Sequence, residues 1–493
     1  MTLHAGCDRI DPQQYNTHFQ VSRYFSTSGF IFPSLPFQRR FINQSFVDRT
    51  VLPTPSLHSP SAMYYEFLTG LLAAFVLVTV YSNVFASKSA STTQASFPQL
   101  RAFRYQFVGL YLLMMAADWM QGPYVYKLYS FYGFSRTDNG ILFIAGFGSS
   151  LIFGTWAGPM ADKYGRKLNC IMYGVAYALS CATKHSRDFG VLMVGRLLGG
   201  FATSILWSAF ESWMVSEHNS RGFPPEEISQ TFSMMITGNG LVAIVSGFVA
   251  QWAFTFFEHP VAPFDVSAIL LVLGTLFISL FWRENYGSTT STSSVGLQLR
   301  EAWGLIFQDR RITLAGLQQA AFEGAMYTFV FMWTPSLPEN IPHGIIFSCF
   351  MISCSLGSTL FGYFASNKYS MTSILKAVFL GAAAAMSIPI FTTEPWLIFT
   401  GFIVFEVLVG LFWPAIGTLR SQYIPESHRA SIINLFRVPL NAVVCIVLYF
   451  QGSMSVSMVF CSCVVFHLFA AWMAFLLHSL PPLVPAGESN AAH

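Results

Sequence analysis

Long apolar runs separated by short polar turns fill the chain from Met63 to His478. Thirteen of them are long enough to cross a bilayer, each roughly 17–25 residues. They lie near 63–84, 105–127, 140–160, 168–184, 189–210, 234–255, 264–282, 312–334, 343–363, 373–392, 396–417, 432–451 and 457–479. A polar stretch, 283–311, with a Ser/Thr-rich centre at 288–294, separates the seventh run from the eighth. The pattern predicts an all-α polytopic membrane protein. Seven runs precede the linker 283–311 and six follow it, which divides the helices into two groups, with a tail, 480–493, after the last.

Composition agrees with a lipid environment. Of 493 residues, 53% are hydrophobic and 10% charged, and mean hydropathy is +0.51; soluble chains carry about 25% charge. Residues 1–62 are different: five Arg, no Lys, and many hydroxyl residues and prolines, with no spanning run. An Arg-rich, acid-poor start fits an organellar transit peptide or a plain extension ahead of Met63. The eight cysteines are scattered, without disulfide-framework or zinc spacing. No Walker loop, nucleophile elbow, zinc motif or basic nucleic-acid stripe occurs. The chain therefore offers no ground for an enzyme, a cofactor or a nucleic-acid partner.

One turn orders the rest. Gly158–Lys167 reads GPMADKYGRK between two apolar runs, and its charges require a water interface. With this turn inside, inward loops carry fourteen Lys and Arg against three (Arg136, Lys184, Arg187) in outward loops, as the positive-inside rule expects. The turn resembles the signature loop of the major facilitator superfamily, and that resemblance gives Gly158, Asp162, Gly165, Arg166 and Lys167 a conformational gating role. It implies a major facilitator fold, with a twelve-helix core in two six-helix halves (105–282 and 312–479) around a midplane site, and makes 63–84 an extra leading helix. The loop then follows the second core helix, on the cytoplasmic side. A fainter echo, GYFASNKY at 362–369, falls at the matching place in the second half.

Ionisable groups inside spans are costly and face a cavity or one another. Here they are few: Asp118, Arg196, Glu323 and Glu406 on core helices 1, 4, 7 and 10, and Arg437 on helix 11. In the family fold those four helices line the central cavity. Asp118 lies roughly 14 Å and Arg196 roughly 10 Å from the outer helix ends, so an ion pair is expected between them. Asp118, Glu323 and Glu406 form the expected charge network or proton path, a buried carboxyl being easier to protonate than an exposed one. Each has a structural alternative, as a helix-pairing charge or a neutral hydrogen-bonded glutamate. Gly195-Arg196-x-x-Gly199-Gly200 resembles the superfamily's helix-4 motif, whose arginine is associated with proton coupling.

Several blocks narrow the resemblance: AADWMQGPYVYKLY at 116–129, SAFESWMVSEH at 208–218, REN at 283–285, FVFMWTP at 329–335 and NLFRVPL at 434–440. They are similar to the molybdate-anion transporter family. That resemblance implies a cell-membrane carrier for the molybdate dianion, with tungstate as a second candidate substrate. An organellar membrane is the alternative if 1–62 is a transit peptide. Arginine's planar fork suits a tetrahedral oxyanion, which nominates Arg196 and Arg437, with Gln121, Tyr124 and Asn434 as neutral donors. Two deep cations against three carboxyls is a poor balance for an anion, and protons as a co-transported partner would correct it. A carrier for another solute, or a non-transporting receptor or scaffold, stays open at this point.

Overall fold

The structure is a computed structural model describing residues 62–86, 98–287 and 295–480, except Trp207, Lys368 and 426–428; at a few helical positions, Gly158 and Asn434 among them, only the backbone is described. The tail 1–61 and the Ser/Thr-rich centre of the linker lie outside the described residues.

Every apolar run becomes a helix. Helix α1 (Ala62–Ala86) leads. It is followed by α2 (Pro98–Gln121), a 3-10 turn (Gly122–Tyr124), α3 (Val125–Phe131), α4 (Arg136–Tyr164), α5 (Arg166–Thr183), α6 (Phe189–Leu206), α7 (Ala209–Ser220), α8 (Ile228–Phe257) and α9 (Ala262–Phe281). After the linker come α10 (Val295–Gln308), α11 (Arg310–Met332), α12 (His343–Ser366), α13 (Met371–Phe391), α14 (Pro395–Tyr423), α15 (Arg429–Phe450) and α16 (Val456–His478). Pro123 has no amide hydrogen to continue the α-helical ladder, and it falls in the 3-10 turn that divides α2 from α3. Ser135 opens α4 through a reciprocal capping box with Asp138, and Ser370 and Ser455 cap α13 and α16.

Eight of the described helical segments are long and apolar enough to cross a membrane, α1 among them. Helices α2, α4, α5, α11 and α15 complete the bundle and all contribute to the cavity wall. One unexpected element is α10, an amphipathic helix inside the predicted polar linker. Its Ala302 and Ile306 pack with Ile312, Ile424, Ile432 and Phe436 in a small separate core.

Two larger cores hold the bundle. One is built from α2, α3 and α5–α9, from Leu100 to Trp282, with Trp213 and Trp282 stacked at 3.6 Å. The other is built mainly from α11–α16 and takes in Tyr64 and Leu68 of α1. Tyr64 and Phe67 both meet Phe399 edge-on, with centroids 5.0 and 5.1 Å apart, so the leading helix packs on the second group. Small residues allow backbones to touch: a Cβ on Gly357 would stand 1.9 Å from the Val407 carbonyl oxygen, fixing the α12–α14 crossing.

The hydrogen bonds that join the two groups gather at the end of the bundle opposite the Gly165 turn, called here the far end. The Arg136 guanidinium donates to the carbonyls of Gln451 and Met454, and Gln451 Nε2 returns a bond to the Arg136 carbonyl at 2.7 Å. On the other flank, the Gly344 amide donates to Gln251 at 3.1 Å and Ser348 Oγ to the Ile244 carbonyl at 2.9 Å. These bonds tie the two groups together at the far end.

Candidate functional site

Between the two groups lies a cavity of about 370 Å³, walled by α2, α4, α5, α6, α11, α12, α14 and α15. Helix periodicity explains the α4 wall: Phe143, Phe147 and Leu151 share one row, and Gly146, Ser150 and Gly154 the next. The glycines leave room for long cationic side chains from other helices. A Cβ on Gly146 would stand 2.5 Å from an Arg196 guanidinium nitrogen, and one on Gly154 would be 4.0 Å from Arg437. Those contact points are eight residues apart on α4, about 12 Å at helical rise. The two guanidiniums therefore reach the cavity at different depths. Arg196 Nε donates to the Leu142 carbonyl at 3.1 Å, and its guanidinium lies 4.7 Å from the Phe143 ring centroid.

The expected Asp118–Arg196 ion pair does not form. Asp118 accepts a 2.6 Å hydrogen bond from the Tyr177 hydroxyl on α5, and none of the ion pairs among the described residues includes Arg196. Similar depth was not enough, because Asp118 is engaged by Tyr177 of α5 and Arg196 by the Leu142 carbonyl and Phe143 ring of α4. Glu406 borders the cavity, 6% exposed, with no hydrogen-bond partner among the described residues. Glu323 does not border it. It is buried in α11, where it accepts a 2.7 Å bond from Gln319, one turn earlier on the same helix.

Of the neutral donors, Gln121 borders the cavity, with its amide donating to Ser267 Oγ at 3.0 Å and to the Ala117 carbonyl at 3.1 Å. Tyr124 is turned away and fully buried, donating to Gln251 Oε1 at 2.9 Å. It thus supports a residue that ties the two groups together at the far end. The Asn434 side chain lies outside the described residues.

Lys184 was counted among loop charges, and the structure corrects that. It is 2% exposed and borders the cavity beside Ser180 and Arg196. The wall therefore holds three cations (Lys184, Arg196, Arg437) and two carboxyls (Asp118, Glu406). The charge balance that looked wrong for an anion is reversed.

The turn at the opposite end is built by residues that sequence reading passed over. Gly165 has φ +115°, a region that disfavours side chains. The Glu284 carboxylate accepts from the amides of Lys167 (2.8 Å) and Leu168 (3.1 Å) in the first turn of α5, where an anion also meets the helix dipole favourably. Arg166 pairs with Asp162 at 2.8 Å, its amide donates to the Asn285 carbonyl at 3.0 Å, and Lys167 Nζ reaches the Ser279 carbonyl at 2.9 Å. Glu284 and Asn285 of the REN block thereby bind the turn to the end of α9. Gly158 lies on α4, and its surroundings are outside the described residues.

A bundle end tied by hydrogen bonds, a central charged cavity and two helical groups define a polytopic carrier of the major facilitator class. Comparison with known proteins agrees. A family profile described as sugar transporters with twelve membrane spans matches residues 63–410. Solved structures of the nucleoside transporter NupG superpose with TM-scores of 0.60 and 0.63, covering 76–77% of this chain and 99–100% of theirs, at 14–16% identity; this likeness concerns the fold. Proteins named molybdate-anion transporter are much nearer in sequence. Those of Xenopus laevis and Xenopus tropicalis are 37% identical over 388 residues, covering 76% of this chain and 85% of theirs. That of Danio rerio is 33% identical over 417 residues, covering 77% of this chain and 87% of its own. The chain belongs to the molybdate-anion transporter family of the major facilitator superfamily. It has that superfamily's twelve-helix core in two halves, preceded by one extra helix, and it is a carrier rather than an enzyme.

Proposed function

We propose that this protein is a secondary active transporter that brings molybdate into the cell by alternating access across the cell membrane. The observation that carries this reading is the cavity wall, where Arg196 and Arg437 enter one space from opposite helical groups with cations in excess over carboxyls. An oxyanion passed from one to the other would be handed between the two groups, because each guanidinium moves with its own group. Charge-assisted bonds from a planar fork suit a tetrahedral dianion. Gln121 adds a neutral donor. Its relatives' name supplies molybdate as the substrate to test first.

The loop bias puts the Gly165 turn in the cytoplasm. The hydrogen-bonded far end is then the outer face, and the clasp there would hold that side shut. The Asp162–Lys167 turn, clamped by Glu284, would limit how α4 and α5 slide as the state changes. Glu406, facing the cavity without a partner, is the proposed proton carrier, with Asp118 in the same charge network. Residues 105–282 and 312–479 form the two moving halves.

The deciding experiment is uptake of radiolabelled molybdate by cells lacking their own high-affinity system, with surface location confirmed by an exposed tag. Wild-type chain should confer saturable uptake that excess tungstate blocks. No uptake from protein present at the surface would overturn the molybdate reading.

A further inference from the structure

We propose that Lys184, together with the hydroxyl of Tyr129, forms an additional oxyanion-binding station at the far end of the cavity, outside Arg196. The inference rests on the oxyanion reading above and adds the point at which the anion is first held.

A lysine ammonium is among the groups least often buried without a counter-charge. Lys184 is 2% exposed, and its Nζ has no hydrogen-bond partner among the described residues. Its ammonium lies over the face of the Tyr129 ring, 5.6 Å from the centroid. The hydroxyl of that same ring is also buried without a partner among the described residues. Two buried donor groups without partners, one of them on the cavity wall, are costly to the fold. An anion that accepts from both would remove the cost.

The surroundings fix the lysine in place. Its amide donates to the Cys181 carbonyl at 3.0 Å, and its own carbonyl accepts from the Tyr132 hydroxyl at 2.5 Å. Gly195 makes room for the side chain: a Cβ there would stand 3.2 Å from Lys184 Nζ and 1.9 Å from Thr183 Oγ1. Gly195 immediately precedes Arg196, so one short segment of α6 admits the lysine and carries the first arginine. Lys184 follows the last residue of α5 at the far end, whereas Arg437 contacts α4 toward the other end. Lys184 thus joins the wall from the far end of α5, and Arg437 reaches it nearer the other end. An anion entering from the far side would meet Lys184 before Arg437.

The test compares wild type, Lys184→Met, Lys184→Arg and Tyr129→Phe in the same cells, measuring initial rates of labelled molybdate uptake against surface abundance. Lys184→Met should raise KM for external molybdate about tenfold or more, with the maximal rate per surface molecule within about twofold. Lys184→Arg, keeping the charge, should restore KM to within about threefold. A purely structural lysine would instead lower abundance or maximal rate and leave KM alone, and that result overturns the proposal. If Lys184→Met does not reach the surface, Tyr129→Phe decides: it keeps the ring and should raise KM about threefold, and an unchanged KM defeats the station. Absence of uptake by wild type would instead defeat the molybdate reading itself.

Discussion

The Tyr177 hydroxyl donates a 2.6 Å hydrogen bond to the Asp118 carboxylate, and both side chains border the central cavity. This joins α2 to α5 within the first helical group and leaves Arg196 to hold its position through the Leu142 carbonyl and the Phe143 ring. The partners can be told apart by a double-mutant cycle. Tyr177→Phe and Asp118→Asn should show a coupling of about 1–3 kcal/mol in detergent stability. Asp118→Asn combined with Arg196→Gln should be additive within about 0.5 kcal/mol. Strong coupling in the second cycle and none in the first would restore the ion pair.

A second prediction concerns the gating turn. A Cβ at Gly165 would stand 2.5 Å from the Glu284 carboxyl carbon, on a backbone whose φ is already +115°. Gly165→Ala is therefore strained by conformation and by contact, and should reduce both abundance and transport. Glu284→Ala removes the acceptor for two amides of α5 and should lower thermal stability by about 1 kcal/mol, the scale of a lost helix cap. Glu284→Gln, which still accepts, should lose less. Equal losses for Ala and Gln would mean that the carboxylate acts through some other contact.

Spans were legible in the sequence because a membrane helix must be apolar for its whole length, and no tertiary detail changes that. Depth along a helix was legible too, through the fixed rise per residue. The direction in which a side chain points around the helix was not. Asp118 and Arg196 matched in depth, yet Asp118 meets Tyr177. Glu323 is deep on a helix that does line the cavity, but it bonds one turn back to Gln319. Lys184 ends an apolar run, where a cation normally reaches water; only the packing of Tyr129, Tyr132 and Gly195 buries it. Glu284 was visible only as part of a sequence block, since its partners lie over a hundred residues earlier.

A third prediction addresses closure of the far end. A Cβ on Gly140 would stand 2.7 Å from both the Leu448 carbonyl and the Gln451 amide nitrogen. Gly140→Val should therefore hold α4 and α15 apart, beside the clasp that Arg136 makes with Gln451 and Met454. Transport should fall at least tenfold while surface abundance stays within about twofold. A cysteine placed at Thr137 should become more reactive toward a membrane-impermeant maleimide applied outside. Unchanged reactivity with normal transport would mean that this contact does not have to open or close.

The last prediction concerns substrate and coupling together. Arg196 and Arg437 reach α4 at Gly146 and Gly154, one from each helical group. Lysine at either position keeps the charge and loses the two-pronged donor geometry. Arg196→Lys and Arg437→Lys should each weaken molybdate uptake by about tenfold or more, with abundance near normal. Tungstate, of the same shape and charge, should compete with molybdate, and sulfate, smaller and differently hydrated, should compete poorly. Coupling separates the two buried glutamates. Glu406 borders the cavity without a hydrogen-bond partner among the described residues, whereas Glu323 is bound to Gln319 away from it. If a proton accompanies the anion, uptake should rise as external pH falls. Glu406→Gln should flatten that rise, and Glu323→Gln should preserve it. The reverse assignment would place the proton path through α11 and the Gln319 contact. Normal transport by both arginine-to-lysine variants would remove the two guanidiniums from the binding site, even though both face the cavity.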